Sequence, residues 1–315
     1  MMIALVIFGL IIFFYLLSLA ADFVVGNSSK IAEEFSLPLP LIGLLLGILT
    51  TLPELSLGIS SLEHGVPAMS AGNLLGGIFV ILSLVLGLNI ISNREIETDG
   101  NWHSLIPLAV YLLLPAGLSL DGSFQYFDAI IMIVGYLVWL AVSYFPKSRG
   151  LKISLLAINK KSLAKQVFFI ITGGIAILVF SDIIVSLSLF LLKSFNIYPF
   201  LVGVLVFSIG TNLPEISIAL TSARKKAGSL SFSHLSGSAA ANVLCLGLIS
   251  LGGNMVTGAG RGAASWAYGG ILLLLLLFLF YSYDSGKKFS RVEGWFLLVF
   301  YAVFATLQIF LVGQL

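Results

Sequence analysis

Uninterrupted apolar runs of roughly 18 to 25 residues make up most of the chain, and they limit its fold more than any other feature. An α-helix needs a run of that length to cross about 30 Å of hydrocarbon, and the runs lack the strict alternation of a transmembrane β-barrel. With 59% hydrophobic and 10% charged residues, the chain has too little polar surface for a soluble domain. We therefore predict an integral membrane protein that crosses the bilayer as helices.

The N-terminal segment, MMIALVIFGLIIFFYLLSLAADFVV, is predicted to be the first of these helices. It has neither the basic start nor the small-residue cleavage site of a secretory signal peptide. The single Cys245 lies in an apolar run, has no partner for an intramolecular disulfide, and is interpreted as a packing residue.

Polar residues, glycines and prolines break the apolar runs and so predict where each helix ends. The expected fold is an all-α membrane protein with ten transmembrane helices. Their predicted ranges are 2–26, 36–62, 67–92, 102–119, 124–145, 165–194, 197–223, 229–252, 263–283 and 292–313.

The distribution of lysine and arginine agrees with ten helices, because cytoplasmic loops hold most basic residues. The odd-numbered loops would contain 14 of the 16 basic residues, leaving Lys193 and Arg261 on the other side. Both termini are therefore expected on the non-cytoplasmic side of the cell (inner) membrane. This sidedness explains the net charge of +2 without a nucleic-acid partner, and no obligatory protein partner is expected.

The chain is predicted to consist of two related halves, residues 1–146 and 165–315, joined by a basic cytoplasmic linker at 147–164. TTLPELSLGISS (50–61) aligns with TNLPEISIALTS (211–222), with six identities in twelve positions. Each half has five helices, an odd number, so the halves must enter the membrane in opposite directions. Such inverted repeats are typical of secondary transporters, where broken helices meet near the bilayer midplane.

Proline interrupts the helix in both copies of this motif. Pro53 cannot donate a hydrogen bond to the carbonyl of Leu49, and Pro214 cannot donate one to Gly210. An unpaired carbonyl in hydrocarbon costs several kcal/mol, so it is tolerated only where the oxygen faces protein, water or an ion. The two breaks are therefore expected to offer backbone oxygens to a ligand.

A glutamate follows each proline, and its burial as an ion is costly unless a cation neutralises it. Apart from Lys165 and Lys193, at the two ends of one predicted helix, no lysine or arginine lies inside a predicted helix, so a structural salt bridge has no partner near the motif. A divalent cation would neutralise Glu54 and Glu215 together, and Ca²⁺ prefers six to eight oxygen ligands. The absence of a thiolate or histidine cluster argues against zinc or copper. The neighbouring oxygen-bearing side chains are those of Thr50, Thr51, Thr211, Asn212, Ser238 and Asn242.

On these motifs the chain resembles the Ca²⁺/cation antiporter superfamily, in particular the prokaryotic Na⁺/Ca²⁺ exchangers. The resemblance rests on two halves that each carry a G-T-S-x-P-E-like motif followed by a G-N-x-x-G-S-x-x-x-N/D-like segment. It implies an antiporter, not an enzyme, that has no cofactor and exchanges Ca²⁺ for a monovalent cation, with Na⁺ expected first. The implied ion-binding residues are Glu54, Glu215, Thr50, Thr51, Thr211, Asn212, Ser238 and Asn242.

The third helix departs from the motif of that family. Gly77 and Ile81 stand where the motif has Ser and Asn. The wall of the ion site that the third helix forms is therefore expected to offer fewer oxygens unless a neighbour such as Asn73 compensates. The counter-ion and stoichiometry therefore stay open, with H⁺ or K⁺ coupling and an uncoupled channel as alternatives. Asp22 and Asp182 are equally consistent with structural and ion-handling roles.

Overall fold

The computed structural model describes residues 2–34, 49–93, 95–97, 105–144, 160–216, 219–220, 228–256, 263–284 and 288–312. Within these ranges the chain is almost entirely helical, as predicted. The helices are α1 (Met2–Glu34), α2 (Leu52–Glu63), α3 (Pro67–Asn93), α4 (Ile106–Leu118), α5 (Tyr126–Tyr144), α6 (Lys160–Phe195), α7 (Pro199–Thr211), α8 (Gly228–Ser250), α9 (Ala263–Asp284) and α10 (Arg291–Val312).

Six helices in the described ranges, α1, α3, α5, α6, α9 and α10, are long and apolar enough to cross a membrane. Apolar segments of 10 to 17 residues also occur in α4, α7 and α8. Residues 36–48 of the second predicted helix, most of the linker at 147–164 and the basic residues 224–226 lie outside the described residues.

Helix α1 continues to Glu34, eight residues beyond its predicted end at residue 26. The polar side chains in this stretch bond back to the helix instead of ending it: Asn27 Nδ2 donates to the Phe23 carbonyl at 2.7 Å, and Ser29 Oγ donates to the Val25 carbonyl at 3.0 Å. A polar residue therefore did not mark a helix end here, because its hydrogen bonds are satisfied one turn earlier.

Helices α1 and α6 form an antiparallel pair that packs apart from the main core. The rings of Phe13 and Phe180 are 5.9 Å apart, and those of Phe23 and Phe169 are 5.2 Å apart. The pair shares a hydrophobic cluster with parts of α2, α3 and α7, whereas α3 to α5 and α8 to α10 pack around a second, larger cluster. The opposite faces of α1 and α6 are apolar and exposed, as expected of lipid-facing helices.

Both motif-bearing helices are interrupted at equivalent positions. Thr51 has φ −93° and ψ 7°, and Asn212, which is 161 residues later (212 − 51), has φ −91° and ψ 15°. The helix restarts in the same way after each, since Leu55 N donates to the Thr51 carbonyl and Ile216 N donates to the Asn212 carbonyl, both at 3.0 Å. The predicted helix breaks are therefore present.

Helices α3 and α7 cross at very close range through glycines. A Cβ atom added at Gly72 would lie 2.1 Å from the Phe200 carbonyl oxygen, and one added at Gly203 would lie 2.1 Å from the Met69 carbonyl oxygen. Each helix also contains a π-helical segment, Val80–Val85 in α3 and Gly203–Phe207 in α7. The crossing brings the backbone of α3 beside the interrupted helix α7.

Two short antiparallel strand pairs join the loops, and the sequence pattern did not predict them. Strand β1 (Glu95–Glu97) pairs with β4 (Lys288–Ser290), and β2 (Ser123–Phe124) pairs with β3 (Met255–Val256). β1 follows α3 and β4 precedes α10, whereas β3 follows α8 and β2 precedes α5. Each pair therefore joins one predicted half to the other.

Candidate functional site

Two glutamates lie at the start of the helical turns that follow the two breaks. Glu54 is in the first turn of α2, and Glu215 lies three residues after Asn212. Each is 3% exposed, and the two carboxylates are close enough to interact electrostatically. Among the residues that the structure describes, these two glutamates are the charged side chains found buried, and no lysine or arginine is buried with them. Two negative charges in this position favour a cation between them.

Thr211 links this pair to the third helix. Its side chain lies beside the Glu54 carboxylate, and its Oγ1 donates a hydrogen bond to Asn73 Oδ1 at 3.3 Å. Asn73 is 1% exposed and projects from α3, the wall that the sequence predicted to be short of oxygens. Asn73 therefore places a buried polar side chain on α3 within hydrogen-bonding distance of Thr211.

Gly77 lies directly against the amide of Asn242 on α8. A Cβ atom at position 77 would be 2.5 Å from Asn242 Nδ2 and 3.5 Å from Asn212 Nδ2. The space that a third-helix side chain would fill is thus occupied by an amide from the other predicted half. Ile81, the second departure from the motif, is 1% exposed and belongs to the large hydrophobic cluster.

Several buried oxygens of the predicted ion-binding residues have no hydrogen-bond partner. They are Glu54 Oε2, Asn212 Oδ1, Asn242 Oδ1 and Ser238 Oγ. Buried polar atoms normally have a partner, so orphaned oxygens on these residues suit a hard cation. No three His, Cys, Asp or Glu side chains cluster as a metal site in the described part of the chain. A cation here would therefore depend on neutral oxygens as well as the two carboxylates.

The threonines of the first motif line the break before α2. Thr51 is 3% exposed and occupies the N-cap position, but its side chain makes no capping hydrogen bond. Its side chain lies beside Cys245, a contact that the apolar sequence context could not reveal. Thr50 is half-buried in the same turn.

The two aspartates occupy more exposed positions on α1 and α6. Asp182 Oδ1 accepts a hydrogen bond from Ser60 Oγ at 3.3 Å and lies 3.7 Å from His64 Nε2, which ties α6 to the end of α2. Asp22 is exposed on α1 and is close enough to Glu215 to interact with it electrostatically. Asp182 thus links α6 to the end of α2.

Buried carboxylates on two interrupted helices within an apolar bundle are typical of membrane cation transporters. The family model described as sodium/calcium exchanger protein matches residues 5–145 and 165–310. The chain therefore belongs to the sodium/calcium exchanger protein family, a family of membrane ion exchangers.

Similar proteins occur in archaea and bacteria. The chain is 24% identical over 300 residues to the uncharacterized membrane protein MJ0091 of Methanocaldococcus jannaschii, an alignment that covers 94% of this chain and 93% of the relative. It is 25% identical over 303 residues to the putative antiporter CaxA of Alkalimonas amylolytica, covering 90% and 92%.

Solved structures share the fold. The chain matches the sodium-calcium exchanger NCX_Mj with a TM-score of 0.65 and 23% identity, covering 96% of this chain and 98% of that one. It matches the H⁺/Ca²⁺ exchanger CAX with a TM-score of 0.74 and 17% identity, covering 98% and 87%. At these identities the matches show the fold alone, and exchangers with different coupling ions share it.

Proposed function

We propose that the protein is an antiporter that moves Ca²⁺ out of the cell in exchange for a monovalent cation by alternating access. The observation that carries this proposal is the pair of buried carboxylates, Glu54 and Glu215, placed at equivalent breaks in two helices. Ca²⁺ would neutralise both charges at once. An empty site with two negative charges resists crossing the occluded state, which makes exchange obligatory.

Neutral oxygens around the carboxylates would complete the Ca²⁺ shell. Hydroxyls and amide oxygens are ligands that Ca²⁺ prefers, and the carbonyls of Leu49 and Gly210 have no proline N–H to bind. The orphaned oxygens of Asn212, Ser238 and Asn242 support this assignment. The ion-binding side chains would be Glu54, Glu215, Thr50, Thr51, Thr211, Asn212, Ser238 and Asn242.

The loop pairing supports the proposed topology of ten helices in two inverted halves. Six helices separate β1 from β4, and four separate β2 from β3. An even number of crossings returns a chain to the same side of the membrane, as paired strands require. The family model also matches two segments, one in each proposed half. With both termini placed outside the cytoplasm, the basic linker would face the cell interior.

The separate packing of α1 and α6 suits them for the moving part of the transporter. Their cluster includes Phe14 and Phe207, whose rings are 5.6 Å apart, so the pair contacts α7 close to its break. Sliding of α1 and α6 across this contact would open the carboxylate pair to one side of the membrane or the other.

Na⁺ is the coupling ion we propose first, because the family model describes sodium/calcium exchangers. H⁺ or K⁺ is the second candidate, favoured by the loss of side-chain oxygens at Gly77 and Ile81. An uncoupled channel is the third, and it would carry ions far faster than an antiporter.

The coupling ion can be identified with purified protein in proteoliposomes. We expect an outward Na⁺ gradient to drive ⁴⁵Ca²⁺ accumulation, while K⁺ and H⁺ gradients of equal size do not. Accumulation driven only by H⁺ or K⁺ would reassign the coupling ion. Ca²⁺ entry that never exceeds equilibrium under any of the three gradients would contradict antiport.

Replacing Gly77 with alanine is expected to weaken Ca²⁺ binding without unfolding the protein. The new methyl group would meet Asn242 Nδ2, the end of a side chain that can move. The Asn242 amide would therefore be displaced, which changes the ion site and leaves the helix packing in place. We expect the Ca²⁺ concentration for half-maximal exchange to rise about tenfold, equivalent to about 1.4 kcal/mol. Gly237→Ala on α8 is the matched control, because no atom lies within 4 Å of its added Cβ. Equal affinities of the two variants would show that the Gly77 contact does not shape the site.

A further inference from the structure

A groove runs between α1 and α6 on the exposed apolar side of the pair. Four residues of each helix line it, and its volume of about 490 Å³ is within the range of small-molecule pockets. Three of the lining residues are small, Ala20 on α1 and Gly173 and Ala176 on α6, which leaves the space between the helices. Thr172 is the polar residue of the lining, and its hydroxyl donates a hydrogen bond to the Phe169 carbonyl at 3.0 Å. The groove therefore suits an apolar occupant.

The length of the groove matches the acyl chains of one leaflet. On α6 the groove extends from Thr172 to Phe180, which is about 12 Å at 1.5 Å per residue. One leaflet contributes half of the hydrocarbon core of about 30 Å, which is about 15 Å. Helices α1 and α6 are both long and apolar enough to cross the membrane, so lipid surrounds their exposed side. An acyl chain is therefore the apolar group that is available to fill the groove.

A lysine on each helix continues the lining face beyond one end of the groove. Residues three, four or seven positions apart share a helix face, so Lys165 shares one with Phe169 and Thr172. Lys30 shares a face of α1 with Phe23 in the same way. The helices are antiparallel and the rings of Phe23 and Phe169 are 5.2 Å apart, so both exposed lysines lie toward the same end. Along the helix axes, Lys30 is about 10 Å and Lys165 about 6 Å beyond this ring contact.

The charge at this end of the groove is positive. The Lys165 ammonium lies over the Phe169 ring, 5.7 Å from its centre, and that ring contacts Phe23 in the lining. Asp22 is one position before Phe23, about 100° around α1, and is close enough to Glu215 to interact with it. The adjoining ends of α1 and α6 together have a net charge of +2 (4 − 2), from Lys30, Lys160, Lys161 and Lys165 against Glu33 and Glu34.

We propose that an anionic phospholipid binds this groove, with one acyl chain along Ala20, Gly173 and Ala176 and its phosphate beside Lys30 and Lys165. Basic pockets between transmembrane helices on the cytoplasmic side are typical sites for anionic headgroups. Helix α6 follows the basic linker, which the proposed topology places in the cytoplasm. The lysines would therefore lie at the leaflet that carries the anionic lipids.

Lipid retention by the purified full chain in detergent tests this inference. The probes are dioleoylphosphatidylglycerol, which is anionic, and dioleoylphosphatidylcholine, which has the same acyl chains and no net charge. Bound lipids are counted by native mass spectrometry during titration. We expect one phosphatidylglycerol to bind at least about fivefold more tightly than phosphatidylcholine, because each basic residue at a membrane surface contributes about 1 kcal/mol toward anionic lipid, which is about fivefold.

Matched variants separate the two parts of the site. Lys165→Gln is expected to weaken phosphatidylglycerol binding about fivefold, whereas Lys193→Gln, the same change at an exposed position near the other end of α6, should bind like the wild type. Ala176→Trp fills the groove and should abolish retention. Leu178→Trp lies on the exposed side of the same helix but outside the groove lining, so it should retain the lipid.

Equal retention of the two lipids by the wild type would overturn the inference, as would equal effects of Lys165→Gln and Lys193→Gln. Retention that survives Ala176→Trp, or that both tryptophan variants lose alike, would place the lipid elsewhere on the protein and overturn it too. These experiments measure binding without ion exchange, so their outcome is independent of the proposed function.

Discussion

Glu54→Gln and Glu215→Gln are each expected to abolish gradient-driven Ca²⁺ accumulation, lowering the initial rate at least 100-fold. Either change leaves one buried carboxylate to balance a divalent cation, so the Ca²⁺ complex would carry an uncompensated charge. The measurement is ⁴⁵Ca²⁺ uptake by proteoliposomes that contain equal amounts of each variant.

Glu63→Gln is the matched control, because Glu63 is an exposed residue at the end of the same helix as Glu54. It should transport at the wild-type rate. Binding can be measured independently of transport, since a ligand at 100 times its Kd stabilises the folded state by about 2.7 kcal/mol. We expect Ca²⁺ to raise the melting temperature of the wild type and of Glu63→Gln, but not that of either site variant. Retained accumulation in both glutamine variants would remove these carboxylates from the transport site.

Gly72→Ala and Gly203→Ala are expected to prevent stable folding. Each new methyl group would lie 2.1 Å from a backbone carbonyl oxygen of the facing helix, Phe200 for one and Met69 for the other. A backbone carbonyl cannot rotate away from a clash as the end of a flexible side chain can. Helices α3 and α7 would therefore have to separate and lose their packing. We expect a loss of at least about 3 kcal/mol, measured as reduced monodisperse protein in detergent and a lower melting temperature.

The same substitution at Gly174 separates this contact from general effects of alanine in a helix. Gly174 lies within α6, and no atom lies within 4 Å of its added Cβ. Alanine favours a helix by about 1 kcal/mol over glycine, so Gly174→Ala should be neutral or stabilising. If all three variants melted alike, the close crossing of α3 and α7 would not matter for stability.

The sequence allowed the membrane class, most helix positions and the paired motifs to be predicted, because each depends on local pattern. Run length sets the number of residues in a membrane-crossing helix. The repeat of Pro-Glu identified the two breaks, and Thr51 and Asn212 adopt nearly the same backbone angles there.

What could not be predicted depends on contacts between distant segments. The Gly77 position suggested a wall that lacks a ligand, but the space is taken by Asn242 from another helix, and no local pattern encodes that pairing. The strands β1 to β4 are two or three residues long, too short for an alternating pattern. The π-helical segments of α3 and α7 are as apolar as the helices around them, so residue composition does not predict where they occur.

The crossed strand pairs bear on how such a molecule arose by duplication. In each pair, a strand following the third helix of one half bonds to a strand preceding the fifth helix of the other, so neither half satisfies these loop hydrogen bonds by itself. An ancestral five-helix protein would have needed a second copy, inserted into the membrane in the opposite orientation, to complete the same strand pairs. In the proposed inverted topology, fusion of two such copies would fix one copy in each orientation.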